Sequence, residues 1–171
     1  MNKLDQIIND FSDKVVWDTD YWSSVFRNCV EPYINTLRDV NRMINTFQFR
    51  YGMLYKEIAL EDMVGMTTLE VLEPELYKWI CNNKEAVCGG FMHGLLSHSS
   101  NKPDYRNLYY NEFKSLGIDP DLAISCVSTM FPVFANDVSR YPYSYQPTLS
   151  IRSRMRIAYE ERFDLYFMFD L

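Results

Sequence analysis

The stretch Thr36-Leu-Arg-Asp-Val-Asn-Arg-Met-Ile-Asn-Thr-Phe-Gln-Phe-Arg-Tyr51 leaves this chain little alternative to helix. Thr36 is placed to cap an N-terminus, and Asp39 three residues on gives a weaker form of the capping box. Asp39 also falls in the first turn, where the helix dipole favours an anion. Val40, Ile44, Phe47, Tyr51 and Leu54 follow at steps of three or four. At about 100° per residue they share a sector of roughly 80°. Arg38 and Arg42 leave from the opposite side, about 40° apart. One face therefore attaches the helix and the other offers two guanidinium groups, the side chain best suited to a phosphate. Two arginines four residues apart are also the ordinary form of a solvated helix face. Phe49 falls in the arginine sector, which predicts that the back of this helix is covered further along.

The same 3.6-residue pattern recurs on both sides. It predicts short helices over residues 2–11 and from the Asp18-Thr-Asp20 caps to Pro32, then the central helix over 37–57. Further helices are expected over 61–73, from Pro74 to Gly89-Gly90, over 105–116, over 120–131 with Pro132 as its stop, and over 157–169. A helical turn at 91–96 is weaker, and 98–104 and 139–147 read as loops. No stretch alternates with period two. The expectation is an all-α, single helical domain over residues 1–171, of about seven or eight helices, with Phe47, Tyr51, Leu54, Leu69, Leu72 and Trp79 in its core. Gly65 is the one residue that weakens the helix over 61–73.

A net charge of −6 removes general nucleic-acid binding, which needs a positive field. No apolar run is long enough to span a bilayer, and the chain opens without an apolar leader. With four cysteines at 29, 81, 88 and 126, a reduced cytoplasmic setting with packed or free thiols is expected. The aromatic end Asp164-Leu-Tyr-Phe-Met-Phe-Asp-Leu171 reads as a piece cut from a longer chain.

Self-contained catalytic chemistry is scarce. Gly89-Gly-Phe-Met-His-Gly94 has the glycine spacing of a P-loop but lacks the following Lys and hydroxyl, so it cannot neutralise phosphate or hold magnesium. Cys81, Cys88, His93 and His98 do not have zinc-site spacing, and neither histidine has a neighbouring nucleophile with a partner acid. Metal ligands and catalytic residues are both expected to be none. Arg152, Arg154, Arg156 and Arg162 read as a solvated surface or an electropositive edge. The tyrosine-rich stretch 139–147 is a packed loop or a partner surface.

Several stretches resemble the KAP family of P-loop NTPases. Leu37-Arg-Asp-Val-Asn-Arg-Met-Ile-Asn-Thr-Phe47 is similar to that family's (T/P)-R-D-(I/V)-(K/N)-R signature, and Phe49-Arg-Tyr-Gly-Met-Leu54 to its (L/F)-R-Y-x-x-L. Ile58 to Asp62 resembles its (I/V)-x-L-x-D, and Leu69-Glu-Val-Leu-Glu-Pro-Glu-Leu-Tyr77 its L-x-x-(F/L)-E-P-x-(L/V)-Y. Arg156-Ile-Ala-Tyr-Glu-Glu-Arg-Phe-Asp-Leu-Tyr-Phe167 is similar to its R-I-x-x-x-x-x-F-D-x-Y-F. The order is collinear over residues 21–77 and 154–167.

The resemblance implies the lid-like helical subdomain of an AAA+/STAND-type P-loop NTPase, a fragment without Walker A or Walker B. Its first partner is then the nucleotide-binding core of the parent chain, with ATP and magnesium bound there. Arg38 is the implied nucleotide-sensing residue and Arg42 the second candidate, although the family's usual Pro before the Arg is Leu37 here. The chain is not catalytic alone. Some members of the family are membrane-associated, and bacterial ones include phage-exclusion proteins. The rival reading is a helical protein–protein interaction module with no nucleotide role, using the Tyr- and Arg-rich C-terminal third.

Overall fold

The computed structural model describes residues 18–89, 103–139 and 155–169, and the helix expected over 2–11, the turn at 91–96 and the loop 140–147 lie outside them. The described residues are helical, with no strand, and contain nine α-helices rather than seven or eight. Asp18 caps α1 (Thr19–Val25) by accepting the Tyr21 N–H. A π-helical turn, Phe26–Val30, and a 3-10 turn, Glu31–Tyr33, follow directly. Next come α2 (Leu37–Leu54), α3 (Leu60–Leu72), α4 (Pro74–Asn82) and α5 (Lys84–Cys88). Later in the chain are α6 (Tyr105–Ser115), α7 (Pro120–Met130), α8 (Pro132–Val138) and α9 (Glu160–Phe163), the last running into a 3-10 turn, Asp164–Phe167.

α3, not α2, is the axis of the molecule. Residues Leu60 to Leu69 are buried on every side, including Glu61, Asp62, Thr67 and Thr68. It packs against α1, the π turn, α2 and α4. Gly65 explains how so many elements reach it. A Cβ there would sit 3.2 Å from Met130 Sδ and 3.3 Å from Val25 Cγ1, so the missing side chain lets α1 and α7 close on the α3 backbone. The buried hydroxyl of Thr68 is satisfied within the helix, donating to the Val64 carbonyl at 2.8 Å.

α2 lies on α3 by the face its periodicity predicts: Ile44, Phe47, Tyr51 and Leu54 are buried, and Val40 is half-buried. Its helix stops at Leu54, three residues earlier than expected, and Tyr55 caps it on the Tyr51 carbonyl. Two helix boundaries differ from their sequence reading, while Pro74 opens α4 as expected. α4 ends at Asn82, before Gly89-Gly90, and α5 restarts from Asn83. Pro132 does not simply terminate α7; it occupies the first position of α8, where the missing N–H is harmless. The helix expected over 157–169 is only α9 plus a 3-10 turn.

Trp79 organises the second half of the core. Its ring meets Phe113 edge-on at 4.7 Å, with Tyr109 and Phe134 also in edge contact, and its indole N–H donates to Glu112 at 2.8 Å. Leu72 is only half-buried, since it lies at the exposed end of α3.

Candidate functional site

The start of α2 is a complete capping box. The Asp39 N–H donates to Thr36 Oγ1 at 3.2 Å, and the Thr36 N–H donates back to Asp39 Oδ2 at 2.9 Å. The Asn35 N–H also donates to Asp39 Oδ2. The Thr36 hydroxyl, then these amides and the Arg42 charge, hold the Asp39 carboxyl below its usual range. The Asn35 and Thr36 amides just before the helix are thus occupied by the chain's own carboxylate, and the Asp39 amide by the Thr36 hydroxyl.

Arg38 and Arg42 are both exposed, but they are not equivalent. Arg42 Nη2 donates to the Val71 carbonyl at 3.3 Å, in the last turn of α3. That carbonyl is one of the four that a helix end leaves without an internal donor, and a cation there also meets the negative end of the dipole. Arg42 therefore ties α2 to α3. Arg38 makes no hydrogen bond or ion pair with any described residue. Phe49, on the same side, is 63% exposed; Phe169 covers part of it, with ring centroids 5.9 Å apart. Met53 beside it is 59% exposed.

Two buried polar clusters were not signalled by the amphipathic pattern. In the first, Arg50 is 5% exposed, on the flank of the apolar face of α2. Its Nη2 donates to Glu70 Oε1 at 2.6 Å, and its Nη1 donates to the Tyr77 hydroxyl and the Tyr166 carbonyl. Its guanidinium carbon lies 5.4 Å from the Phe169 ring centre. Five donors in a planar fork let one side chain bind α3, α4 and the C-terminal segment together.

The second cluster surrounds Asp62, which has no exposed surface. Oδ1 accepts the Tyr21 hydroxyl, and Oδ2 accepts the Ile157 N–H at 2.8 Å. Arg156 supplies the countercharge, with its guanidinium carbon stacked 3.4 Å from the Tyr21 ring centre. Burial works against the Arg156 charge, but Asp62 and Tyr21 outweigh it and raise its pKa. Beside this pair, the Tyr166 hydroxyl accepts the Ala59 N–H at 2.8 Å and donates to the Met155 carbonyl at 2.9 Å. Those bonds hold Met155 at φ 55°, a left-handed conformation that a non-glycine residue adopts at a cost.

This corrects the reading of the C-terminal arginines. Arg156 is neither a solvated residue nor part of an electropositive edge, because Asp62 draws it into the interior. Arg162 pairs with Glu57. Arg152, Arg154, His93 and His98 lie outside the described residues. Cys88 is buried, donating to the Ile157 carbonyl, and burial pushes its thiol up to about 12. Among the described residues, no three His, Cys, Asp or Glu side chains cluster to hold a metal. No helix described is long and apolar enough to cross a membrane.

Four of the five stretches that resemble the KAP signatures contribute to these contacts; the stretch Leu37 to Phe47, which carries Arg38 and Arg42, does not. Arg50, Glu70 and Tyr77 meet in the first cluster, and Asp62, Arg156 and Tyr166 in or beside the second. A sequence search for buried charge would have had only the motif letters Arg50, Asp62 and Arg156 as its signal, since Glu70 falls at an unspecified position of its signature. No family model matches the chain, and neither a curated protein nor a solved structure matches it. Among the described residues the chemistry available is therefore an exposed guanidinium without a partner at the start of α2, with Arg27 on the π-helical turn also exposed and unpaired, and two buried polar clusters that stabilise the fold.

Proposed function

We propose that this chain is the helical lid of a KAP-type P-loop ATPase, carrying a nucleotide-sensing arginine toward ATP and magnesium held by the parent's core. The observation that carries this reading is Arg38: exposed, in the first turn of α2, and without a partner among the described residues. The capping box and the Arg42 bond to the α3 terminus keep its backbone in place, as a preorganised charge requires. The mutual contacts of the motif residues also support it, since a signature whose letters touch one another is a structural unit. Arg42 then serves Arg38 as a positioning residue. The lid does no chemistry alone. It compensates phosphate charge, and loss of the γ-phosphate releases it.

The experiment is Arg38→Ala in the parent ATPase, with turnover and the melting temperature of the 171-residue chain read together. Turnover should fall by a factor on the order of a hundred, the scale for losing one preorganised contact to developing charge. Unchanged turnover would end the sensor reading.

A second reading has its own observation. Phe49, Met53, Met168 and the half-buried Phe169 leave apolar surface at the junction of α2 and the C-terminal segment. Such surface suits a helical protein–protein interaction module. A parent ATPase indifferent to Arg38, together with binding of a partner lost on Phe49→Ser, would favour it.

A further inference from the structure

We infer that the pocket between the π-helical turn and α2 is a binding site for a small apolar amine, whose ammonium pairs with Glu31. The pocket encloses about 300 Å³, and its walls include Trp22, Phe26, Val40, Ile44 and Val64. That is roughly twice the ~150 Å³ apolar cavity that admits benzene, which leaves room for one aromatic ring and a short chain.

The backbone shows how the space arises. α1 does not close in an ordinary cap; it widens, and the Glu31 N–H donates to the Phe26 carbonyl five residues back. Such single π turns are rare and occur frequently at functional sites. Val30 leaves the turn at φ −120°, ψ −63°, outside regular helix, and Pro32 follows at once. The wide turn places Phe26, Val30 and Glu31 on one wall, with Trp22 against Phe26 at 5.7 Å.

Glu31 decides the charge of the occupant. Among the described lining residues it is the only ionisable one, it is exposed, and its carboxylate bonds no described residue. An anion would be repelled there. An ammonium gains the carboxylate and the two aromatic walls, and the net charge of −6 draws cations toward the chain. Val40 and Ile44 lie on the opposite side of α2 from Arg38, so this site stands independently of the lid reading.

The test is a titration of the full chain with 2-phenylethylamine, followed by NMR at the Trp22 indole N–H and the Ile44 methyl groups. Both should shift saturably, with a Kd below about 1 mM. 2-Phenylethanol should bind more weakly and 3-phenylpropionate more weakly still. Glu31→Gln should weaken the amine about fivefold, the scale of an exposed ion pair, and leave the alcohol unchanged. Val40→Trp should fill the space and abolish the shifts. Absence of shifts at Trp22 and Ile44 overturns the proposal, as does equal binding of amine and alcohol or an amine Kd unmoved by Glu31→Gln.

Discussion

Arg156 Nε stands 3.4 Å from Oδ2 of Asp62, a carboxylate sealed from solvent. The Arg156 Nε makes no hydrogen bond, and it is the Ile157 N–H that donates to that oxygen, at 2.8 Å. The pair acts through charge, while the backbone amide and the Tyr21 hydroxyl satisfy the carboxylate. It fixes the C-terminal segment to the start of α3.

Asp62→Asn should therefore destabilise the chain by about 3–5 kcal/mol, the usual effect of leaving one member of a buried pair uncompensated. Arg156→Met should be similar in sign. The double variant should recover part of the loss, because it leaves neither charge stranded. Urea unfolding of the three proteins measures the coupling; strictly additive losses would show that the two charges do not sense each other.

Glu61 gives a pH test. Burial, the largest influence, raises its carboxyl pKa, against the opposing pull of the Asp18 N–H bond at 2.9 Å. An acid whose folded pKa is raised binds its proton more tightly when folded. It favours folding at pH below its folded pKa, and that contribution is lost as pH rises from the unfolded value, about 4.3, through the folded one. Glu61→Gln keeps an acceptor for the Asp18 amide and removes the charge. It should raise the melting temperature at pH 7, and the gain should shrink to nothing as pH falls below the ordinary glutamate range. A gain that grows on acidification would reverse the assignment.

Arg38 and Arg42 should separate in the isolated chain. Arg38→Ala should change stability by no more than about 0.5 kcal/mol, as for other exposed positions. Arg42→Ala should lose about 0.3–1 kcal/mol, since it removes the donor and cation at the α3 terminus. Thermal unfolding at low and high salt checks this, and the Arg42 effect should weaken with salt. Equal effects would mean that the Val71 contact contributes nothing.

Gly65→Val should destabilise by about 1–3 kcal/mol, the range for overpacking a filled interior. Its β-carbon alone would stand 3.2 Å from Met130 Sδ and 3.3 Å from Val25 Cγ1, close enough that these neighbours must give, and the two methyls add bulk beyond it. Gly65→Ala should cost less than Gly65→Val, because a single methyl has only to displace the flexible Met130 sulfur, the nearest obstacle at 3.2 Å. Comparable melting temperatures for Gly65→Val and the parent chain would remove the close-approach argument.

The amino-acid sequence by itself determined the local elements. Thr36 with Asp39, Asp18, Asp119 and Asp104 act as caps because their oxygens lie within a turn of the amides they satisfy. The apolar face of α2 and the first position of Pro74 in α4 are equally local, set by 3.6-residue geometry and by a missing N–H. Tertiary structure alone decided which helix became the axis. α3 is buried on every side from Leu60 to Leu69, polar residues included, so no single face records its packing, and Gly65 reads locally as a weakness; only packing turns it into the point where α1 and α7 converge. It also decided that Asp62 and Arg50 are interior. A charged residue at a helix flank looks solvated until its partner arrives from a distant segment, and Arg156 and Glu70 are invisible to any window of one helix. The division between Arg42, tied to α3, and Arg38, left free, has the same origin: it depends on where the α3 carbonyls end, which no spacing within α2 records.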